Sequence, residues 1–331
     1  WSAKRTGFTC KAYQILVNHD DRCQVFVNGT LRYDISSCCF GGVFTANQNA
    51  GTYVLGASDI VEMRVSEGGG GSFGSIALND VTSALNGGTI NYGGSTTVCT
   101  GYDPPAFGNS ADASGGTSAA ITNGSTSYQW ELNGGSISGA TASTYDPGAL
   151  TVGTYTYRRK VTDKCGNVAY SNSYTITVNG NTATAGSISP SASTITLGSS
   201  VAINSVVNAT AASGTSLNIR WYRISSCANS AWEDLGQTNS QTLPSNTPSG
   251  IGTWTYLRRA WSSCGAEGSP AYYDATTTVT VTTPPGNPAT FGSNTWNAYV
   301  YCGNNTTPSN NIYQGYYVDG NLSFNTANVW V

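Results

Sequence analysis

Charge is the first thing this sequence is short of. Asp, Glu, Lys and Arg make up 9% of its 331 residues, against about 25% in an average soluble domain. The 14 Lys and Arg and 17 Asp and Glu leave a formal net charge of -3, and the basic residues gather in no long run. That removes the footprint a phosphate backbone needs, so no nucleic-acid partner is expected. Histidine is scarcer still. His19 is the only one, too few for a catalytic metal centre. No window approaches the roughly 18 apolar residues of a membrane-spanning helix, and no basic-then-apolar leader precedes Trp1. The chain therefore reads as soluble, without a membrane span, and as processed or excised. Helix signals are missing too, because Gly, Ser, Thr and Asn interrupt every stretch before an apolar 3.6-residue pattern lasts three turns. Paired catalytic carboxylates in a recognisable motif and a GxSxG elbow are absent, which puts an enzyme last among the functions considered.

What is present is period two. Val61, Met63 and Val65 alternate with Glu62 and Arg64, and Ile176 with Val178, Ile195 with Leu197, Val201 with Ile203, Ile219 with Trp221 and Val279 with Val281 repeat the spacing of half-buried strands. Two stretches also repeat each other, GTYTYRRKVTDKCG over 153–166 and GTWTYLRRAWSSCG over 252–265. Their offset, 265 − 166 = 99 residues, is the length of one sandwich domain. Thr-rich strands follow each copy and run into linkers at 179–185 and at Pro284-Pro285-Gly286-Asn287. The expected fold is all-β, an elongated tandem of β-sandwich modules: residues 1–85, 86–180, 181–285 and 286–331. Nine cysteines lie scattered and not in CxxC pairs, so disulfides and an extracellular location are expected.

The order Cys99, Trp130, Cys165 resembles the Cys, Trp, Cys spacing of immunoglobulin-like domains. The resemblance implies a Cys99–Cys165 bridge between sheets with Trp130 packed over it. The module at 181–285 carries Trp221 and two cysteines, Cys227 and Cys264, whose pairing is the simplest arrangement. Cys10, Cys23, Cys38, Cys39 and Cys302 are then left, an odd number.

The ends suggest a module cut in two. Residues 288–331 are near the lower limit for a self-sufficient core, yet they hold aromatic-rich strands at 294–301 and 312–318 that would expose their edges. The head, in turn, starts without a turn signal at Trp1. Head segments Lys4–Cys10, Asn18–Asp21, Val25–Gly29 and Glu67–Ser72 resemble the later half of a module of the giant surface adhesins of gliding Bacteroidota. Tail segments Asn294–Asn297, Tyr301–Asn304, Gly315–Tyr317 and Asn321–Thr326 resemble its earlier half, and Tyr128-Gln129-Trp130 and Ile137–Thr141 with Tyr145 are similar to the immunoglobulin-like part. The resemblance implies a non-enzymatic repeat of a cell-surface filament. Its tail would complete the head of a neighbouring repeat or identical subunit, end to end, through Trp296, Tyr299, Tyr301, Tyr316 and Phe324, with Cys302 far from the head cysteines.

His19-Asp20-Asp21 is the one cluster with chemical appeal. As a triad it is poor, because adjacent strand residues face opposite sides. The pair Asp20-Asp21 followed by Val25–Gly29 resembles the protective-antigen type of lectin-like sandwich, where adjacent aspartates hold Ca²⁺ against sugar hydroxyls. The inserted Arg22-Cys23 departs from that pattern, and a satisfied turn is the plainer reading. A calcium-dependent carbohydrate-binding module of a secreted protein, meeting surface glycans, is the second functional reading. Gly68–Gly71 reads as a flexible connection and not a phosphate loop. The N-x-[ST] triplets, beginning at Asn28, Asn123 and Asn208, read as chance in an Asn- and Thr-rich chain.

Overall fold

Alternation decides the architecture. The computed structural model describes residues 1–35, 45–66, 73–226, 230–267 and 273–282, with short strands at 290–291 and 294–295, and the described residues contain strands and turns but no helix. The chain divides into two units, Trp1–Val178 and one beginning at Asn179.

The first unit opens with β1 (Ser2–Arg5), β2 (Lys11–His19), β3 (Arg22–Val27), β4 (Thr30–Ile35), β5 (Thr45–Leu55), β6 (Val61–Ser66) and β7 (Gly74–Asp80). They form two sheets, β1-β6-β3-β4 and β5-β2-β7. Ile15 and Val17 of β2 face Val25, Val61, Met63 and Val65 across one core, as the alternation of β6 requires; burial of each such side chain is worth roughly 1.5–3 kcal/mol. Glu62, on the outer face, is covered by Arg64 at 2.6 Å and Lys4 at 3.5 Å. The β3–β4 hairpin closes on Asn28-Gly29, both at positive φ (51° and 77°), the pairing a two-residue turn between right-twisted strands demands.

The same unit continues with β8 (Thr89–Asn91), β9 (Thr97–Cys99), β10 (Gly108–Ala111), β11 (Thr126–Leu132), β12 (Gly135–Ser136), β13 (Gly153–Asp163) and β14 (Val168–Asn179). A five-stranded sheet, β12-β11-β13-β14-β9, faces the pair β10-β8. Phe107 centres the core, 4.9 Å from Tyr157 and 5.6 Å from Trp130 between ring centroids.

The second unit holds β15 (Ala183–Thr184), β16 (Ser187–Ser189), β17 (Ala192–Thr196), β18 (Val201–Val207), β19 (Thr210–Ala211), β20 (Leu217–Ser225), β21 (Glu233–Thr238), β22 (Leu243–Asn246), β23 (Gly252–Ser262), β24 (Tyr273–Thr282), β25 (Thr290–Phe291) and β26 (Asn294–Thr295). Its main sheet is β17-β24-β23-β20-β21, with β17 parallel to β24, and a three-stranded sheet β16-β18-β22 contributes Ile188, Val201, Ile203 and Leu243 to the same core. The fold is thus a tandem of β-sandwiches, all-β as the sequence pattern requires.

Candidate functional site

His19 ends β2 on its inward face, 4% exposed. Its Nδ1–H donates to the Asp21 carbonyl at 2.8 Å, and Nε2 is hydrogen-bonded to the Tyr33 hydroxyl at 3.2 Å. Both ring nitrogens are therefore taken up in positioning. Asp20 and Asp21 carry the chain from one sheet to the other. The Asp20 carboxylate accepts the Phe73 amide at 2.6 Å, while its own amide donates to the Phe73 carbonyl at 3.3 Å. Asp21 is 3% exposed. Among the described residues no group of three or more His, Cys, Asp or Glu is arranged to hold a metal. Cys23, one turn away, is a buried free thiol pushed up to about 11, first by burial and then by the charge of Asp34.

The cysteines assemble a different feature. Cys165 is bridged to Cys10, with Cα atoms 5.5 Å apart and a sequence separation of 155. The expected Cys99–Cys165 bridge is overturned, although Cys99 and Cys264 are disulfide-bonded as well. The reason lies in β13. Its inward positions are Tyr157, Arg159, Val161 and Asp163, after which the chain turns, so Cys165 falls in the β13–β14 turn and not inside a sheet. Asp163 builds that turn, accepting from the amides of Thr117, Cys165 and Asn167 at 2.9, 3.0 and 2.9 Å. Burial pushes its carboxyl up, but the hydrogen bonds from Asn167 and Thr117 outweigh burial and hold it below the usual aspartate range. Cys10 leads into β2, so the bridge fastens the first sandwich to the module that follows.

A second clasp lies on the same seam. Asn123, at φ 58°, accepts the Val54 amide at 2.8 Å and donates Nδ2–H to the Val54 carbonyl at 3.1 Å. A side-chain amide thus imitates a strand partner for the free edge of β5. Tyr53 and Thr122 add a parallel bridge beside it, and Lys164 donates to the Asn123 carbonyl at 2.9 Å. Gly124 must follow, because a Cβ there would lie 2.0 Å from the Ser118 carbonyl oxygen. The acceptor-like triplet at Asn123 is therefore engaged in structure, as is Asn28, whose side chain donates to Asp59 at 2.7 Å and accepts the Ile60 amide at 2.8 Å.

In the two modules at 86–180 and 181–285 the core holds a Trp–Arg pair on opposed strands. Trp130 is registered against Arg159 and Trp221 against Arg258, and all four are fully buried. Arg159 donates to Asn109 Oδ1 at 2.8 Å and to the carbonyls of Ser143, Ala111 and Gly87 at 2.9, 3.3 and 3.4 Å. Arg258 donates to Ser205 Oγ at 2.8 Å and to the carbonyls of Gln241 at 2.8 Å, Val207 at 2.9 Å and Ala185. Neither meets a carboxylate in these bonds. Burial lowers both guanidinium pKa values, yet guanidinium stays charged in proteins. Each arginine therefore acts as a staple, through its two terminal nitrogens, for backbone that no strand ladder satisfies, while its buried Nε–H meets no partner among the described residues. The two lie at the same place in the 99-residue repeat, which is the signal that could have revealed them.

Residues 86–180 match a family model, a domain of unknown function (DUF8696). The Trp130–Arg159 pair, the Asp163 turn and the Asn123 clasp all belong to this DUF8696-matching module. No curated protein matches the chain. Among solved structures, the three N-terminal domains of the Highly Immunogenic Outer Capsid protein (Hoc) of bacteriophage RB49 are similar at 12% identity, covering 86% of this chain and 98% of that one with a TM-score of 0.33. Domains A168–A170 of titin are similar at 12% identity, covering 85% and 98% with a TM-score of 0.32. The fibronectin(III)-like modules of Clostridium thermocellum CbhA are similar at 11%, covering 59% and 95% with a TM-score of 0.27. Likenesses this loose say nothing about function. Cys38, Cys39, Cys227, Cys302, Gly68–Gly71 and the aromatics Trp296, Tyr299, Tyr301, Tyr316 and Phe324 lie outside the described residues.

Proposed function

We propose that this chain is a non-enzymatic structural segment of an extracellular surface filament or adhesin, of the kind the resemblance to gliding-bacterial adhesins implies. The observation that carries the reading is the Cys10–Cys165 bridge, an oxidised crosslink between successive sandwiches. Disulfides persist where the surroundings are oxidising, and a bond joining two modules serves reach and stiffness more directly than it serves chemistry. The absorbed ring nitrogens of His19 agree. Neighbouring copies join end to end through the aromatic segment after residue 286. Labelling intact source cells with a membrane-impermeant biotin reagent, and imaging them with immunogold, is expected to mark this protein on external fibres; a wholly cytosolic pool would overturn the reading. Light scattering of the chain against a version ending at residue 285 tests the joining, and concentration-dependent assembly is expected of the longer form alone.

A further inference from the structure

We infer that the Cys10–Cys165 disulfide carries tension across the first unit, so that the chain between its two ends lies outside the load path. The inference rests on the proposed role as a load-bearing segment and names what bears the load. Tension applied along a chain follows its shortest covalent route. Here that route runs from Trp1 to Cys10, crosses the disulfide, and leaves from Cys165 through β14. Strands β2 to β13 lie inside the bypassed stretch, and with them the core of the first sandwich and all of the DUF8696-matching module except β14. Among the described residues, three ladders face the force directly, β1 on β6 and β14 on β13 and on β9. Their hydrogen bonds are worth about 0.5–1.5 kcal/mol each in net terms, whereas the route beyond them is covalent.

Both anchors are held. The Cys165 amide donates to Asp163 Oδ1 at 3.0 Å and to Thr117 Oγ1 at 3.2 Å. On the other side, the Gly7 amide donates to the Ala57 carbonyl at 3.1 Å and the Gly56 amide to Asp59 at 2.6 Å, beside Cys10. The Asn123–Val54 clasp keeps the two modules in register while the bond takes the strain of pulling. Cys10 is exposed, so the device is open to reductant. The separation of 155 residues stores a reserve of roughly 510–560 Å of contour at 3.3–3.6 Å per residue.

Single-molecule pulling of the full chain, with handles on the N-terminus and at Gly180 in the linker, reads this out. Without reductant, extension is expected to stop after about 25 residues of chain, roughly 90 Å. Reductant, or the double substitution Cys10→Ser with Cys165→Ser, is expected to lengthen it several-fold. Should the double variant fold poorly, the untreated and reduced parent chains still decide the matter. Full extension of the untreated chain, or a length unchanged by reductant, would overturn the inference. Pulling does not depend on where the protein resides, so failed surface labelling with a short oxidised extension would remove the filament reading and leave the bypass standing.

Discussion

A charged side chain with no exposure is an unusual core residue, and Arg159 and Arg258 show what it can be for. In these two sandwiches the arginines meet carbonyls at strand ends and crossovers, and an unpaired buried polar group costs about 1–3 kcal/mol. One guanidinium reaches several such groups at once. Arg159→Leu is therefore expected to lower the stability of the first unit by several kcal/mol, with Arg159→Lys recovering only part of it because an ammonium has three donors and no fork; urea unfolding followed by circular dichroism measures both. Asp163 gives a pH signature. Its folded pKa lies below its unfolded value, so its contribution is fully present above the ordinary aspartate range and is lost as pH falls through the folded value. Thermal melts of the parent between about pH 5 and 2 are expected to fall more steeply than those of Asp163→Asn. Equal slopes would show that the carboxylate is not what holds the turn.

At the scale of elements, β5 depends on a side chain for part of its edge pairing. Asn123→Ala removes both bonds to Val54 and forces an alanine to φ 58°, together costing about 2–5 kcal/mol. Asn123→Gly keeps the backbone and removes only the clasp. Hydrogen exchange at the Val54 amide is expected to speed up in both variants, with the larger stability loss in the alanine form. The strands themselves were legible: Val61, Met63 and Val65, or Ile219 and Trp221, are buried as their alternation implies, since period two reports on one face of one strand. The clasp was not, because its partner lies 69 residues away and nothing near Asn123 points to it. The bridge misled for a related reason. The order Cys, Trp, Cys matches an inter-sheet bond only if the second cysteine lies within a strand, and β13 ends at Asp163, two residues short of Cys165. The staples fell between these cases, present in the repeat as Arg159 and Arg258, which by itself marks only a domain period.

For the whole molecule, the bond from Cys10 to Cys165 closes the chain into a ring, and every peptide bond within a ring is redundant for holding the chain together. A protease that cuts once between those residues opens the ring and releases nothing, whereas a cut beyond Cys165 has no such protection from this bridge. Extracellular proteins meet proteases continually, and exposed turns are where the cuts fall. The Asn133-Gly134 turn between β11 and β12 is exposed and lies inside the ring. With a recognition sequence for a specific protease inserted there, complete digestion is expected to leave a single species on a non-reducing denaturing gel and two fragments once thiol is added. Two fragments without thiol would show the ring to be open. A closed ring lets the segment survive a first cut intact, and makes reduction followed by cleavage, in that order or the reverse, the two-step event that severs it.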